Sequence, residues 1–447
     1  MSRRKRSPRR GQGTVYQRGN KWAFAFDGPP HPLTGERQKI RKSGFASEDA
    51  AWDGMQEARA ALATETYVKP SRAKVSDFFE AWFPYVRTTT EPTTAANYEV
   101  LARAYVLPWI GSRPIQEIVP SVVAALYSHL LAEGRRRRDT NWDMYRVWQD
   151  ARAAKREIRP REIADKVGVT YAAARKAVQR YEAGRLPGKP DPGLSPKTVK
   201  TVHIMLSSAM ATAVRWKYLS VNPTEGVKPP SVAKRTHSTW SPMELGRFLE
   251  VVRTDRLFGL WVLVASTGMR RSELCGLQLS ALDLEARTVR MTTTRVIAGG
   301  KASKGSGKSP GSRRQLALDR FTTQVLREHM RRLREEKEAF GHGYQNHGLV
   351  FCWEDGRPIY PDTITERFNR LVELAQLPLI RLHDVRHSYA TIALRSGVHP
   401  KIVSSRLGHA TVAFTLDTYS ADVPDLDQQA AEDIGGLFLP RLAEADS

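Results

Sequence analysis

The sequence contains little cysteine, no long apolar segment and few acidic residues for its many basic ones. Its 447 residues include 2 cysteines, Cys275 and Cys352, which is too few for a disulfide scaffold or a multi-cysteine zinc module. Both lie in apolar stretches, so we expect buried thiols. The longest apolar run, residues 257–266, is far too short to cross a bilayer, and the basic N-terminus lacks the apolar core of a signal peptide. These absences predict a soluble, cytoplasmic protein with no membrane partner.

The shortage of acidic residues leaves a large positive charge. The chain has 70 lysines and arginines against 47 aspartates and glutamates, a formal net charge of +23. Repulsion among so many positive charges destabilises a compact fold, and such an excess is usually tolerated because the partner is a polyanion. Nucleic acid is the first candidate and an anionic membrane surface the second. Because 41% of the residues are hydrophobic, the chain can build real cores and is not a wholly disordered protein.

Residues 1–68 predict a basic tail followed by a small sheet and one helix. Trp22, Phe24 and Phe26 alternate with alanines, which is the period-2 pattern of a half-buried strand, and three short strands fit the region. Ser47 is placed to cap a helix that continues to about Thr64. The sheet carries many cations, for which DNA contact is favoured over simple solubilisation: Arg18, Lys21, Arg37, Lys39, Arg41 and Lys42.

Residues 69–232 predict a helical bundle, because apolar residues recur at every third and fourth position. One buried stripe is expected along the last helix, formed by Val199, Val202, Met205, Leu206, Met210 and Val214. Lys197 and Lys200 fall on the exposed side of the same helix. They suit a surface that lies against DNA phosphates.

An interruption at about 134–193 separates the last bundle helix from the others. It contains the spacing of a helix-turn-helix, in which Gly168 supplies the turn and Thr170 caps the second helix. Ala174 stands where a bulky apolar residue usually locks the two helices, so an ordinary αα-hairpin stays open, as does a role in protein contact. The second helix would carry the cations Arg175, Lys176 and Arg180.

The region 233–447 opens with a strong helix start, the capping box that begins at Ser241 and includes Glu244. Farther on, Arg270 and Glu273 share one face of a helix at a spacing of three, which by itself fits a surface ion pair. Residues 288–297 form the clearest strand, and 313–318 are its expected hairpin partner. Between the two lie three lysines that composition alone does not distinguish: Lys301, Lys304 and Lys308.

Two further motifs place histidines near an arginine and a tyrosine. His383 and Arg386 are three residues apart on a predicted helix and project together, a geometry suited to gripping one phosphate. His409 follows a glycine, and Tyr419 comes ten residues after it. Each motif is weak by itself, because histidine and tyrosine on helices are more often core or surface residues than catalysts.

Taken in order, the motifs TGMRRSEL, RRQLAL, HDVRHSYAT, RLGHATV and TLDTYS resemble the tyrosine recombinase family of phage-type integrases. The resemblance covers nearly the whole chain. It implies an arm-type DNA-binding domain at 1–68, a helical core-binding domain at 69–232 and a mostly helical catalytic domain with a small β-hairpin at 233–447. The fold class is therefore multidomain and mainly α. The inserted segment, the long lysine loop and Ala421, where a histidine often follows the nucleophile, depart from the family pattern.

The resemblance also implies residue roles. Six positions match the family's catalytic residues: Arg270, Lys308, His383, Arg386, His409 and the nucleophile Tyr419. Among the lysines, Lys308 is chosen because its distances to Ser312, Arg314 and Leu318 fit the family. Glu273 matches a supporting acidic position. Two guanidiniums suit the charge of a pentavalent phosphate transition state, His383 is the expected base for Tyr419, and Lys308 is the expected acid for the leaving oxygen.

The function implied is a site-specific integrase of a phage or an integrative mobile element. It would cut and rejoin attachment sites on double-stranded DNA through a 3′-phosphotyrosine and a four-way junction, without metal, cofactor or ATP. The expected partners are three further copies, in a homo-tetramer on DNA, and DNA-bending or directionality factors from the host or the element. An acidic amphipathic stretch at about 425–437 would dock on a neighbouring subunit or on its own domain. A type IB topoisomerase and a DNA-binding regulator are the alternatives.

Overall fold

The computed structural model describes residues 13–30, 35–64, 66–136, 138–233, 238–298, 301–306, 313–419, 431 and 434–435. The chain divides into two compact units, Met1–Ala233 and Lys234–Ser447. Helices dominate both units, as the sequence predicted. Within the described ranges, no helix is both long enough and apolar enough to cross a membrane. The predicted acidic stretch near residue 430 falls almost entirely outside the described residues.

The first unit begins with the predicted three-stranded sheet and helix: β1 Thr14–Arg18, β2 Lys21–Asp27, β3 Lys39–Phe45 and α1 Glu48–Ala63. The strands are antiparallel in the order β1-β2-β3. Ser47 caps α1 by accepting a hydrogen bond from the amide of Ala50. Phe24 and Phe26 pack on Met55 of the helix, and in the register of β2 with β3 Ala25 lies opposite Arg41. The face that α1 leaves uncovered therefore carries Ala25 and Asp27 opposite Arg41 and Lys39.

The rest of the first unit is helical: α2 Val75–Thr89, α3 Pro92–Leu101, a π-helical turn Ala102–Val106, α4 Leu107–Ile110, a 3₁₀ turn Ile115–Glu117, α5 Pro120–Glu133, α6 Thr140–Ala153, α7 Pro160–Val167, α8 Tyr171–Glu182 and α9 Pro196–Arg215. Helices α2 to α5 and α9 form the bundle around Phe79, Trp82 and Met205. The predicted stripe on α9 is buried, except that Val214 is only partly covered. Helices α6 to α8 share a core of their own.

The second unit contains α10 Pro242–Val251, α11 Phe258–Thr267, α12 Arg271–Gly276, a 3₁₀ turn Leu279–Ala281, β4 Leu282–Asp283, β5 Thr288–Arg290, β6 Thr293–Ala298, β7 Lys301–Ser306, β8 Gln315–Ala317, α13 Arg320–Phe340, a 3₁₀ turn Gly341–Gly343, α14 Pro361–Leu374, α15 Leu382–Arg395, α16 Pro400–Leu407 and α17 Val412–Tyr419. The capping box of Ser241 and Glu244 is confirmed. Cys275 and Cys352 are buried free thiols, as expected.

The predicted single strand at 288–297 is wrong in one respect, because the chain forms two strands there. β5 pairs with β4 and β8, whereas β6 pairs only with β7 among the described strands. The break follows Met291, whose side chain is buried, and Thr293 then donates its hydroxyl to the carbonyl of Gly276 at 2.7 Å. Because a Cβ on Gly276 would lie 2.7 Å from the backbone of Thr294, the glycine lets β6 pass against α12. Lys308 lies outside the described residues.

Candidate active site

The turn after α11 brings the first arginine motif to the site. Gly268 ends α11 with φ +64°, a left-handed conformation that other residues rarely adopt. A Cβ at Gly268 would also come within 2.8 Å of Leu407 and of Tyr389, so the position excludes side chains twice over. Arg270 then forms the N-cap of α12, and its guanidinium donates to the carbonyl of Gly408 at 3.3 Å. The two glycine-bearing turns therefore lie side by side.

The carboxylate of Glu273 holds two arginines of the site in place. Its carboxylate accepts from the guanidinium of Arg270 at 2.9 Å and from both terminal nitrogens of Arg314 at 2.9 and 3.1 Å. Because Glu273 is only 2% exposed, the interpretation of a surface ion pair is wrong. Burial raises the pKa of this carboxyl, but the hydrogen bonds and charges of Arg314 and Arg270 outweigh burial and hold the pKa below its usual range. The group is an anion at neutral pH.

Arg386 is buried where three segments meet. One terminal nitrogen donates to the carbonyl of Gly268 at 2.8 Å and the other to the carbonyl of Leu407 at 2.6 Å. Burial, followed by repulsion from Arg270, lowers the pKa of Arg386 to about 9. The guanidinium is still charged at neutral pH, and the lowered pKa means that a further anion would be stabilised beside it.

Tyr419 lies inside the same site at the end of α17. Its ring is 1% exposed and packs on Ala390, Leu394 and Val403. The hydroxyl lies 3.0 Å from Nδ1 of His387, a residue that the sequence analysis missed. The available signal was its spacing of four from His383, which puts both rings on one face of α15.

The two other histidines flank this pair. The ring of His383 meets that of His387 edge to face, with centroids 5.1 Å apart. Partial burial, and then the charge of Arg386, lower the pKa of His383. His409 stacks on Tyr419 with centroids 6.3 Å apart, and its Nδ1 lies 2.8 Å from the hydroxyl of Thr415. Burial, Arg386 and Arg270 lower the pKa of His409 to about 3, so its imidazole is neutral.

The structure thus brings together five of the six predicted catalytic residues and adds His387 and Arg314. A phenol hydrogen-bonded to an imidazole, near the buried guanidinium of Arg386, suits nucleophilic attack on a phosphodiester. Within the described residues there is no group of three or more His, Cys, Asp or Glu side chains that could hold a metal ion. The predicted DNA-binding residues are exposed and lie in the first unit: Arg18, Lys21, Lys39, Arg41, Arg175, Lys176, Lys197 and Lys200.

Comparison with known proteins gives matches over both units. Residues 244–424 match the phage integrase family, and residues 74–131 match the N-terminal SAM-like domain of phage integrases. A XerC-like tyrosine recombinase of Caldanaerobacter subterraneus is 30% identical over 55% of this chain and 68% of its own length. The ICEBs1 integrase of Bacillus subtilis is 25% identical over 55% of this chain and 67% of its own.

Solved structures show the same fold. The integrase of transposon Tn1549, in complex with a circular intermediate DNA, aligns with a TM-score of 0.54. The alignment covers 77% of this chain and 94% of that one, at 18% sequence identity. A second structure of that integrase, with transposon right end DNA, also gives a TM-score of 0.54.

Proposed function

This chain belongs to the phage integrase family of tyrosine recombinases, and on that basis we propose that Tyr419 attacks a phosphodiester within a DNA attachment site. The protein is a site-specific DNA recombinase of the phage or mobile-element type. The observation that carries the proposal is the contact between the Tyr419 hydroxyl and His387 at 3.0 Å, beside the buried Arg386. A nucleophile, a proton acceptor and a cation for the phosphate are adjacent.

The first step is the attack of the Tyr419 oxygen on phosphorus. A tyrosine in water has a pKa of ~10, so the hydroxyl needs a base and a cationic field to react at neutral pH. Nδ1 of His387 takes the proton as the new O–P bond forms. The motif predicted this role for His383, whose catalytic assignment stays a prediction. His383 is exposed, which suits contact with the phosphate.

Charge on the transition state is met by groups that are already in place. Arg270 and Arg386 stabilise the two non-bridging oxygens, since guanidiniums are planar, forked donors that stay charged. Nδ1 of His409 lies 2.8 Å from the hydroxyl of Thr415. With that hydroxyl as the donor, the ring proton is on Nε2, from which it is donated to the phosphate. Glu273 keeps Arg270 oriented and does not react.

The leaving group is the 5′ oxygen of the cleaved strand, and Lys308 protonates it to give a free 5′-hydroxyl. The O–P bond to that oxygen breaks as the bond to Tyr419 forms, which leaves the DNA joined to the protein as a 3′-phosphotyrosine. The phosphodiester energy is retained in this linkage. A 5′-hydroxyl from a partner strand can therefore reverse the step and rejoin the DNA without ATP.

We extend the proposal to the assembly, on the family resemblance. Four copies on two attachment sites exchange one pair of strands at a time through a four-way junction, with DNA-bending or directionality factors as further partners. The exposed cations of β1 to β3 bind arm DNA, and those of α9 follow the backbone of the core site. The contact with arm DNA is supported by the face of the sheet that α1 leaves uncovered, where Lys39 and Arg41 lie opposite Asp27 and Ala25.

Adduct formation on a nicked suicide substrate that contains the attachment site tests the nucleophile. We expect the native chain to accumulate a covalent protein–DNA adduct and Tyr419→Phe to form none, because phenylalanine has no oxygen to attack phosphorus. Tyr360→Phe is the matched control. Tyr360 is the N-cap residue of α14 and is 50% exposed, so this substitution should leave the adduct yield unchanged.

An adduct that persists in Tyr419→Phe would assign the nucleophile to another residue. If the native chain binds the substrate but forms no adduct at all, the DNA-binding regulator is the better interpretation. Rejoining of a partner strand, as opposed to relaxation of supercoils alone, separates the recombinase from a type IB topoisomerase.

A further inference from the structure

Between α5 and α9 the chain makes an excursion that the strand-exchange chemistry does not use. The amide of Arg135 donates to the carbonyl of Pro192 at 2.9 Å, and the amide of Leu194 donates to the carbonyl of Leu130 at 2.8 Å. The outgoing and returning segments therefore run side by side. The buried residues of the bundle core lie at 75–130 and 199–219, and between them only the partly buried Leu194, at the end of the excursion, packs against that core among the described residues.

The excursion has a core of its own, formed by α6, α7 and α8. Met144, Trp148, Ile163 and Val178 are buried within it, and each of the three helices contacts the other two. The hydroxyl of Tyr181 on α8 donates to the carbonyl of Asn141 on α6 at 2.7 Å. We call residues 138–185 the inserted module.

Helices α7 and α8 contact each other and are joined by a short turn like that of a helix-turn-helix. Gly168 adopts φ +75° and its amide donates to the carbonyl of Ala164 at 2.9 Å, which closes α7. Thr170 caps α8 by accepting from the amide of Ala173 at 3.3 Å. Ala174, which the sequence analysis found too small for the motif, is 0% exposed, so its short side chain allows close packing. The small side chain of Ala174 therefore does not argue against a helix-turn-helix.

The outer face of α8 has the composition of a recognition helix. Its inner face is apolar, and its outer face carries Tyr171, Ala172, Arg175, Lys176 and Gln179. The first turn contains no acidic residue, and within the described ranges no carboxylate pairs with Arg175 or Lys176. Two carboxylates elsewhere in the module are paired, Asp143 with Arg138 and Glu162 with Arg156. The face that remains is cationic and suits a polyanion.

We propose that α8 of the inserted module enters the major groove of duplex DNA next to the core site and reads a short block of sequence. Residues near the N-terminus of a recognition helix contact base edges, which assigns that role to Tyr171 and Arg175. A guanidinium fork matches the O6 and N7 acceptors of guanine, and the amide of Gln179 matches adenine. Lys176 contacts phosphate. The inference rests on the proposed function, because the chain must bind attachment-site DNA.

Selection from a library of random duplexes tests the inference, using the full chain in a Tyr419→Phe background so that no DNA is consumed. We expect an enriched core sequence and a second, separate block of a few base pairs. Arg175→Ala and Tyr171→Ala should lose the second block and weaken binding of the selected duplex about tenfold, with no change on a duplex whose second block is scrambled. Arg146→Ala removes an exposed cation from α6 and should retain both blocks.

Enrichment of the core sequence with no second block would overturn the inference and leave the proposed function standing. So would a second block that survives in the Arg175→Ala, Tyr171→Ala double variant. Failure of every variant to enrich any sequence would refute site-specific binding itself, and the inference with it. Arg175→Lys is the control for misfolding, because it retains the positive charge and removes only the forked guanidinium. This variant should retain most of the affinity and lose the preference for guanine.

Discussion

A single buried carboxylate fixes two guanidiniums of the active site. Glu273 contacts Arg270 and Arg314 and is 2% exposed, and Arg314 in turn donates to the carbonyl of Arg406 at 2.6 Å. A buried anion is tolerated only when it is fully paired, which is the case here. The proposed catalytic role of Arg270 therefore depends on a carboxylate that is buried away from solvent.

Glu273→Gln should destabilise the second unit strongly. Removing one member of a buried ion pair leaves an uncompensated charge, so we expect a loss of roughly 3 kcal/mol or more in the free energy of unfolding at pH 7. Urea denaturation measures it. Glu285→Gln is the control, since Glu285 pairs with Arg327 in solvent and should change the free energy by less than about 1 kcal/mol. Equal effects of the two substitutions would contradict this.

The same carboxylate makes stability depend on pH. The pKa of Glu273 is lower in the folded state than in the unfolded chain, so its contribution is present above the unfolded value of ~4.3 and is lost as pH falls through the folded value. The native chain should therefore lose stability on acidification below about pH 4. Glu273→Gln should show a smaller loss over the same range.

His387 is expected to act on the proton of Tyr419. His387→Ala should reduce single-turnover cleavage of a suicide substrate by roughly a hundredfold or more, which is the usual effect of removing a general base. His387→Asn retains an acceptor near the Nδ1 position but is not a base. Recovery of most of the rate in His387→Asn would show that the residue only orients the hydroxyl.

At the scale of elements, the turns at Gly268 and Gly408 bring α12, α15 and α16 together. Gly268→Ala should lower both stability and cleavage, because alanine at φ +64° is strained and its Cβ would clash with Leu407 and Tyr389. We expect a loss of at least about 2 kcal/mol in urea denaturation. Gly397→Ala is the control: its φ is +76°, but nothing lies within 4 Å of the added Cβ. A loss no larger than that of the control would rule out the clash.

Elements with local signals were predictable from the sequence, and those fixed by distant contacts were not. The cap at Ser47, the capping box at Ser241 and the turn at Gly168 each depend on neighbours within a few residues, and all three were confirmed. The break between β5 and β6 depends on the passage of β6 against Gly276, which no local pattern reveals.

The site shows the same limit. The motifs located Arg270, Arg386 and Tyr419, but the partner of the tyrosine hydroxyl is set by how α17 packs on α15. Adjacent residues on a helix point about a quarter turn or more apart, so the position of His387 next to Arg386 does not indicate that its ring reaches the tyrosine. Its role became visible only with the distance to Tyr419.

At the scale of the whole molecule, the charge of +23 predicts binding that depends steeply on salt. With six or more phosphate contacts, affinity for duplex DNA should fall roughly a thousandfold between about 50 and about 200 mM salt. Lys39→Ala with Arg41→Ala should reduce the slope of log affinity against log salt by about one per lost contact, measured by fluorescence anisotropy. Arg327→Ala removes a charge already paired with Glu285 and should leave the slope unchanged.

The anchoring of Arg386 has a consequence for the order in which the site assembles. Its guanidinium is held by carbonyls of Gly268 and Leu407, which are separated by most of the second unit in sequence. During synthesis, Arg270 emerges long before Leu407, and Tyr419 emerges after both. A chain whose second unit has not yet folded therefore already carries the basic residues of the first unit but lacks the assembled cluster around Arg386 and Tyr419.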